Sequence, residues 1–135
     1  MTNTERVIAA WKAFASRDPA QIAACFAEDA EWIAPKGNAT ALALELTDHM
    51  KGPQQIGQFI GTELRRLFGE IKIDFKGIHA AGDIVIVEER MTAVLADGRP
   101  YENDYCFIFE LQDGLIRRVR EYMDTAKGHR MIFGG

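Results

Sequence analysis

The sequence predicts an α+β fold: a cone-shaped roll of three N-terminal helices packed on a strongly bent antiparallel sheet. Two observations support this prediction. Apolar residues recur with helical spacing up to about Gly69, and beyond it they alternate with polar residues as they do in strands. Helices first and strands afterwards is the order of an α+β domain. A chain of 135 residues is long enough for one sizeable core, so residues 1–135 are expected to form a single domain.

Three helical patterns fill the first half of the chain. Residues 4–17 carry an apolar stripe with the i, i+4, i+7 spacing of an amphipathic helix. Asp18 followed by Pro19 is typical of a helix start, because Asp caps free N–H groups and Pro fits the first helical position. The third pattern begins at Pro53 and ends at Gly69.

The strands are predicted from alternation and from the turns between them. A short strand over residues 31–34 is stopped by Pro35, and residues 35–51 fit either a short strand or a helical turn. Four long strands follow, separated by Gly- and Asp-containing turns. The first begins near Ile71, and the other three cover residues 84–95, 101–111 and 115–125.

Composition argues against several classes of function. A net charge of −4, without a basic cluster interleaved with aromatic residues, argues against nucleic-acid binding. No apolar run has the length of a membrane span, and no signal peptide is visible. Cys25 and Cys106 lack a CxxC spacing and favour a reducing, cytoplasmic location. His79 and His129 have no spacing typical of a metal site, so neither a metal nor a cofactor is expected.

Alternation also predicts which side chains face the cavity that a bent sheet leaves at its open end. The expected pocket is an apolar surface with a small polar patch, as in many small-molecule sites. In it, Glu121 pairs with Arg90. Strand residues expected to face the cavity are Glu88, Arg90, Thr92, Asn103, Tyr105, Phe107, Phe109, Val119, Glu121 and Met123.

Several of these assignments have two interpretations. The Glu121–Arg90 pair is either a working base with its guanidinium partner or only a buried ion pair that fixes register. His49 is either a pocket residue or a solvated loop residue, and Asp124 either reacts or caps the strand end. Aromatic side chains from the first half of the chain are either plain core or ligand platforms; these are Trp11, Phe14, Trp32 and Phe59.

Two stretches, AEDAEWIAP at residues 27–35 and DGLIRRVREYMDT at 113–125, resemble the nuclear transport factor 2-like superfamily. More narrowly, the chain resembles its SnoaL-like polyketide cyclase, ketosteroid isomerase and limonene-epoxide hydrolase branches. The resemblance implies a cone-shaped fold that is commonly dimeric. It identifies no reaction, since this fold hosts isomerases, cyclases, hydrolases and non-enzymatic partners.

Matching the isomerase branch residue by residue reveals departures. The catalytic Asp of ketosteroid isomerases falls on Ala34. The Tyr of their oxyanion hole falls near Ala10 or Trp11, and the Asp of that hole falls near Tyr105. These departures argue against a steroid-type proton shuttle by the same groups.

Limonene-epoxide hydrolases match better. Their strand Arg corresponds to Arg90, while the acid two residues later is replaced by Thr92. Their water-activating acid corresponds to Glu121. SnoaL-like cyclases place an acid near the same stretch, which either Glu121 or Asp124 matches.

The sequence therefore predicts a small cofactor-independent enzyme that acts on an apolar small molecule by general acid/base chemistry, of isomerase/cyclase or epoxide-hydrolase type. The alternative is a non-catalytic small-molecule-binding or dimerisation domain of the same fold. A homodimer is expected through the outer face of the sheet. The residues assigned to that outer face are Met91, Leu95, Arg118, Arg120 and Tyr122.

Overall fold

The computed structural model describes residues 1–134 and confirms the predicted α+β class. Within those residues it contains five α-helices, one 3₁₀ turn and six strands. In chain order they are α1 (Asn3–Ser16), α2 (Pro19–Ala23), β1 (Phe26–Ile33), α3 (Ala39–Leu44), β2 (His49–Lys51), α4 (Pro53–Gly61), the 3₁₀ turn (Glu63–Arg66), β3 (Phe68–Ala81), β4 (Ile84–Leu95), β5 (Pro100–Gln112), β6 (Leu115–Met123) and α5 (Thr125–Phe133).

Side-chain caps define where the first two helices begin. Thr2 Oγ1 accepts a hydrogen bond from the backbone N–H of Glu5, and the Glu5 carboxylate accepts one from the N–H of Thr2. This reciprocal pair is a capping box. Asp18 accepts from the N–H of Ala20, with Pro19 at the start of α2 as the sequence predicts.

The six strands form one open sheet in the order β2-β1-β6-β5-β4-β3. All neighbouring strands are antiparallel except β1 and β6, which run parallel. The sheet is therefore not antiparallel throughout, because β1 pairs with β2 on one edge and lies parallel to β6, the last strand of the meander, on the other. The helix α1 packs against β3 and β4 and covers the inner face of the sheet.

Four regions differ from the sequence prediction, the first being β1, which begins at Phe26 and not at residue 31. The ambiguous stretch at 35–51 forms both a helix, α3, and a short strand, β2. The third predicted helix ends at Gly61 and continues as the 3₁₀ turn. The sequence analysis did not predict α5, which begins where the Asp124 carboxylate accepts a hydrogen bond from the N–H of Lys127 at 3.0 Å.

The inward face of β4 is the opposite of the predicted one. Arg90 pairs in register with Asp104, while Met91 pairs with the fully buried Asn103. Paired residues on adjacent strands share a face, so Arg90 and Thr92 point away from the interior and the prediction that they face the cavity is wrong. The assignment of Met91 and Leu95 to the outer face is wrong for the same reason, since both side chains are buried.

Close contact between α2 and α4 generates a first prediction, for Gly57→Ala. A Cβ atom on Gly57 would lie 2.6 Å from the carbonyl oxygen of Pro19, too close for backbone that cannot move freely. We expect the substitution to lower the free energy of unfolding by about 1–3 kcal/mol, measured by urea denaturation.

The matched control is Gln58→Ala, at an exposed position of the same helix. Helix propensity alone favours Ala over Gly by about 1 kcal/mol. A Gly57→Ala protein as stable as the wild type, or more stable, would contradict the packing described here.

Candidate active site

An apolar cavity of about 220 Å³ lies between the helices and the inner face of the sheet. An engineered apolar cavity of about 150 Å³ binds benzene, so this larger space admits an apolar ring compound. The predicted pocket residues that do line it are Trp11, Phe14, Trp32, Phe59, Tyr105, Phe107, Glu121 and Met123.

Aromatic rings form one side of the cavity. Tyr105 and Phe107, two residues apart on β5, stack nearly parallel with ring centres 5.7 Å apart. Trp11 from α1 and Trp32 from β1 meet the Phe107 ring edge-on, at 5.2 and 5.8 Å. Such an arrangement offers flat apolar surface to a ring-shaped ligand.

Glu121 lies on β6, paired with Phe107, and its side chain lines this aromatic part of the cavity. The indole N–H of Trp32 donates a hydrogen bond to Glu121 Oε1 at 2.9 Å. Burial raises the pKa of Glu121 to about 7, although the Trp32 hydrogen bond favours the ionised form and works in the opposite direction. The carboxyl group therefore releases its proton near neutral pH and not near its ordinary value of 4.5.

Glu89 is a second carboxyl group at the cavity, and the sequence analysis did not select it. It points inward from β4, its side chain is only 3% exposed, and its Oε2 atom accepts no hydrogen bond from the described residues. Burial, with a smaller contribution from the charge of Glu121, raises the pKa of Glu89 to about 8. At neutral pH the Glu89 carboxyl group is mainly protonated.

The two carboxyl groups lie on opposite sides of β5. Glu89 pairs with Tyr105 on one side of that strand, and Glu121 pairs with Phe107 on the other. Two strand spacings separate their backbones, roughly 10 Å across the sheet. Between pH 7 and 8 the pair holds about one proton, which is the state an acid/base pair requires.

A short hydrogen-bonded chain supports the Tyr105 end of the cavity. The hydroxyl groups of Tyr101 and Tyr105 are 2.7 Å apart, and the side-chain amide of Asn103 donates to the Tyr101 oxygen and to the backbone oxygen of Asp124. Burial raises the pKa of Tyr105 well above its ordinary value, so the Tyr105 hydroxyl stays neutral. Asn103 thus acts beneath the cavity and does not line it.

The remaining predicted site residues lie elsewhere. Arg90 donates to the exposed carboxylate of Asp104 at 2.8 Å on the outer face, and Thr92 shares that face. The prediction that Arg90 pairs with Glu121 is therefore wrong, both as a catalytic arrangement and as an ion pair. Val119 is fully buried in the core, and Asp124 caps α5.

His49 also faces away from the cavity. Its Nε2 atom lies 2.9 Å from Glu31 Oε1, and this contact holds the pKa of Glu31 below its usual range. Glu31 alternates with the inward Trp32 along β1, which places the His49 contact on the outer face.

The sequence contained a signal for Glu89. Along β4, one set of alternating residues contains Val85, Val87, Met91 and Leu95, with Glu89 as its single charged member. A lone carboxylate on an otherwise apolar strand face is a candidate functional group. The cavity also includes Arg17, which follows α1 and which no periodic pattern marks.

Within residues 1–134, no three His, Cys, Asp or Glu side chains are grouped as metal ligands would be. Over the same residues, every helix is too short or too polar to cross a bilayer.

Burial of Glu89 predicts a pH dependence of stability. The folded protein keeps the Glu89 proton up to a pH of about 8, while the unfolded chain releases it near the ordinary value of 4.5. Unfolding therefore releases a proton between these values, and the free energy of unfolding falls as the pH rises through the window. Between pH 6 and pH 9, we expect the wild type to lose on the order of 2 kcal/mol more than Glu89→Gln.

Urea denaturation at both pH values measures this difference. Glu88→Gln is the control, because Glu88 is the exposed neighbour on the outer face of β4. If the free energy of unfolding of the wild type and of Glu89→Gln depended equally on pH, Glu89 would already be ionised at pH 6 in the folded protein.

Comparison with known proteins agrees with this architecture. A nuclear transport factor 2-like protein of unknown function from Burkholderia pseudomallei is 20% identical, with a TM-score of 0.84 over 98% of both chains. The structure of TerC co-crystallised with polyporic acid is 23% identical, with a TM-score of 0.82 over 97% of this chain and 98% of TerC. An LEH-like epoxide hydrolase from M. tuberculosis is 17% identical, with a TM-score of 0.75 over 98% of this chain and 90% of the hydrolase.

At these identities the likenesses establish the fold and not the reaction. No curated protein matches the chain. A family model described as the SnoaL-like domain matches residues 5–119, which is most of the sequence. The chain belongs to the SnoaL-like domain family.

Proposed function

We propose that this protein is a cofactor-independent enzyme that transfers protons on an apolar small molecule, with Glu121 as general base and Glu89 as general acid. The observation that carries the proposal is the placement of two carboxyl groups, with pKa values of about 7 and about 8, in one aromatic cavity. Strongly raised pKa values in a cavity are typical of acid/base sites.

The proton transfers balance for an isomerisation. Ionised Glu121 accepts a proton from an acidic C–H group, while protonated Glu89 donates its proton to the oxygen of the adjoining carbonyl group. The substrate becomes an enol, and Glu121 returns the proton at a different carbon. Glu89 then recovers its proton from the enol oxygen, so that both carboxyl groups end as they began.

The same groups support opening of an epoxide. Glu121 then takes a proton from water, the water oxygen attacks the epoxide carbon as the C–O bond breaks, and Glu89 protonates the leaving oxygen. Once the diol leaves, Glu121 releases its proton to solvent and Glu89 regains one from solvent. The two reactions differ in the source of the proton that Glu121 accepts. The solved LEH-like epoxide hydrolase and the TerC complex with polyporic acid support a small-molecule role on this fold.

The first test is Glu121→Gln, which keeps the shape of the side chain and removes the base. We expect a loss of roughly 10²–10⁴ in rate. The probes are cyclohex-3-enone, followed by uptake of deuterium from D₂O, and limonene oxide, followed by uptake of ¹⁸O from water. Glu88→Gln serves as the control for loss of one carboxylate outside the cavity.

The second readout is the pH profile. Activity should rise as Glu121 ionises near pH 7 and fall as Glu89 loses its proton near pH 8, giving a narrow bell. Glu89→Gln should flatten the alkaline limb of the pH profile.

Full turnover by Glu121→Gln of a probe that the wild type converts would refute the catalytic role of Glu121. Binding of both probes without conversion by the wild type would favour the non-catalytic binding domain.

We also propose that the protein is a homodimer through the outer face of the sheet. That face carries the exposed side chain of Tyr122 on β6, near Arg118 and Arg120 of the same strand, and the exposed side chain of Val94 at the far end of β4. Arg118 and Arg120 both donate to the carboxylate of Glu110, at 3.1 and 3.2 Å. Apolar and Tyr surface mixed with Arg suits an interface.

Two free cysteines, Cys25 and Cys106, suit the reducing conditions of the cytoplasm.

Light scattering at micromolar concentration tests the dimer, with an expected mass of twice one chain. Tyr122→Arg should shift the mass towards one chain, because it places a further positive charge beside Arg118 and Arg120. Phe133→Arg is the control, since Phe133 is similarly exposed but lies on α5. A wild-type mass of one chain would contradict the dimer.

A further inference from the structure

Arg17 is the one cationic side chain that lines the cavity among the described residues. One of its terminal nitrogen atoms donates a hydrogen bond to the backbone oxygen of Gly69 at 2.8 Å. Within residues 1–134, no carboxylate lies within salt-bridge distance of the Arg17 guanidinium. A guanidinium carries five N–H groups, so most of its donors stay available to a ligand.

The backbone at Arg17 is a second observation. Arg17 follows the last turn of α1 in the left-handed region, with φ of +57°. Gly or Asn commonly occupies this position, because a longer side chain is strained there. Glu45 has the same φ at the end of α3, and Asn can replace Arg17 at this position without added backbone strain.

Arg17 lies far along the cavity from the carboxyl pair. Its partner Gly69 follows Phe68, which pairs with Leu95, whereas Phe75 pairs with Glu89. Along the paired strands β3 and β4, Gly69 is therefore about five residues from the position of Glu89, a distance of roughly 17 Å. The cavity therefore has a positive end at Arg17 and an acidic end at Glu89 and Glu121.

We propose that Arg17 binds an anionic oxygen, a carboxylate or an acidic hydroxyl group, at one end of an otherwise apolar substrate. A second negative charge at the other end would meet Glu121. A substrate long enough to span the cavity therefore enters with its acidic group at Arg17 and its neutral, reacting part towards Glu89 and Glu121. Arg17 is thus a specificity-determining residue, and the substrate class is an apolar organic acid. This orientation rests on the proposed function, whereas binding of the acid by Arg17 does not.

Calorimetry with 2-naphthoate and 2-naphthamide at pH 6 tests the proposal, since the two probes share their rings and differ in charge. We expect the wild type to bind the carboxylate roughly 10- to 100-fold more tightly than the amide, as for a charge-assisted hydrogen bond. Arg17→Asn should reduce this preference to within about twofold. Asn suits the left-handed position, so the variant should unfold at the wild-type temperature or above.

Arg66→Gln is the matched control, because it removes an exposed positive charge from the nearby 3₁₀ turn, outside the cavity. It should keep the preference, and Arg17→Lys should keep part of it. Equal binding of the two probes by the wild type, no binding of the naphthoate, or an unchanged preference in Arg17→Asn would each overturn the proposal. These probes do not react, so the result is independent of whether Glu121→Gln loses turnover.

Discussion

The placement of two carboxyl groups in one aromatic cavity, with Glu89 buried and Glu121 half-buried, is the constraint on which the rest of the site depends. An ionised carboxylate loses much of its hydration there, and only hydrogen bonds or protonation can compensate. The two glutamates meet this constraint differently. Glu121 receives the indole N–H of Trp32, while Glu89 has an oxygen without a donor and keeps its proton instead. Different surroundings thus give two identical side chains different charges at neutral pH.

The topology of the sheet makes this difference possible. Trp32 can reach Glu121 because β1 lies parallel beside β6, with Trp32 opposite Val119. Glu89 lies two strands from β6, beyond β5, where its row contains Tyr105. The hydroxyl of Tyr105 is hydrogen-bonded to that of Tyr101 at 2.7 Å, and Glu89 Oε2 has no hydrogen-bond partner among the described residues. The strand order therefore places the indole N–H of Trp32 within hydrogen-bond distance of Glu121 and too far from Glu89.

The inner faces of β5 and β6 could be predicted from alternation, because each has one clearly more apolar set of residues. On β4 the residues alone favoured the observed face, since Glu89 is its single charge and the other face carries Glu88, Arg90 and Thr92. The resemblance to epoxide hydrolases requires Arg90 inside and favoured the wrong face. Helix α5 was missed because it follows β6 directly at Asp124, a residue equally suited to ending a strand.

Helix α1 connects the two ends of the cavity. Trp11 lies on α1, where its ring meets that of Phe14 on the same helix and that of Phe107 on β5, while Arg17 follows the last residue of α1. A rigid helix of 14 residues fixes the distance between the aromatic surface and the cation. The arginine and the aromatic surface are thus held by one element, and the two glutamates by the sheet beneath. A ligand that touches both layers is aligned by the packing of α1 on β3 and β4, and recognition is therefore coupled to the same contacts that stabilise the fold.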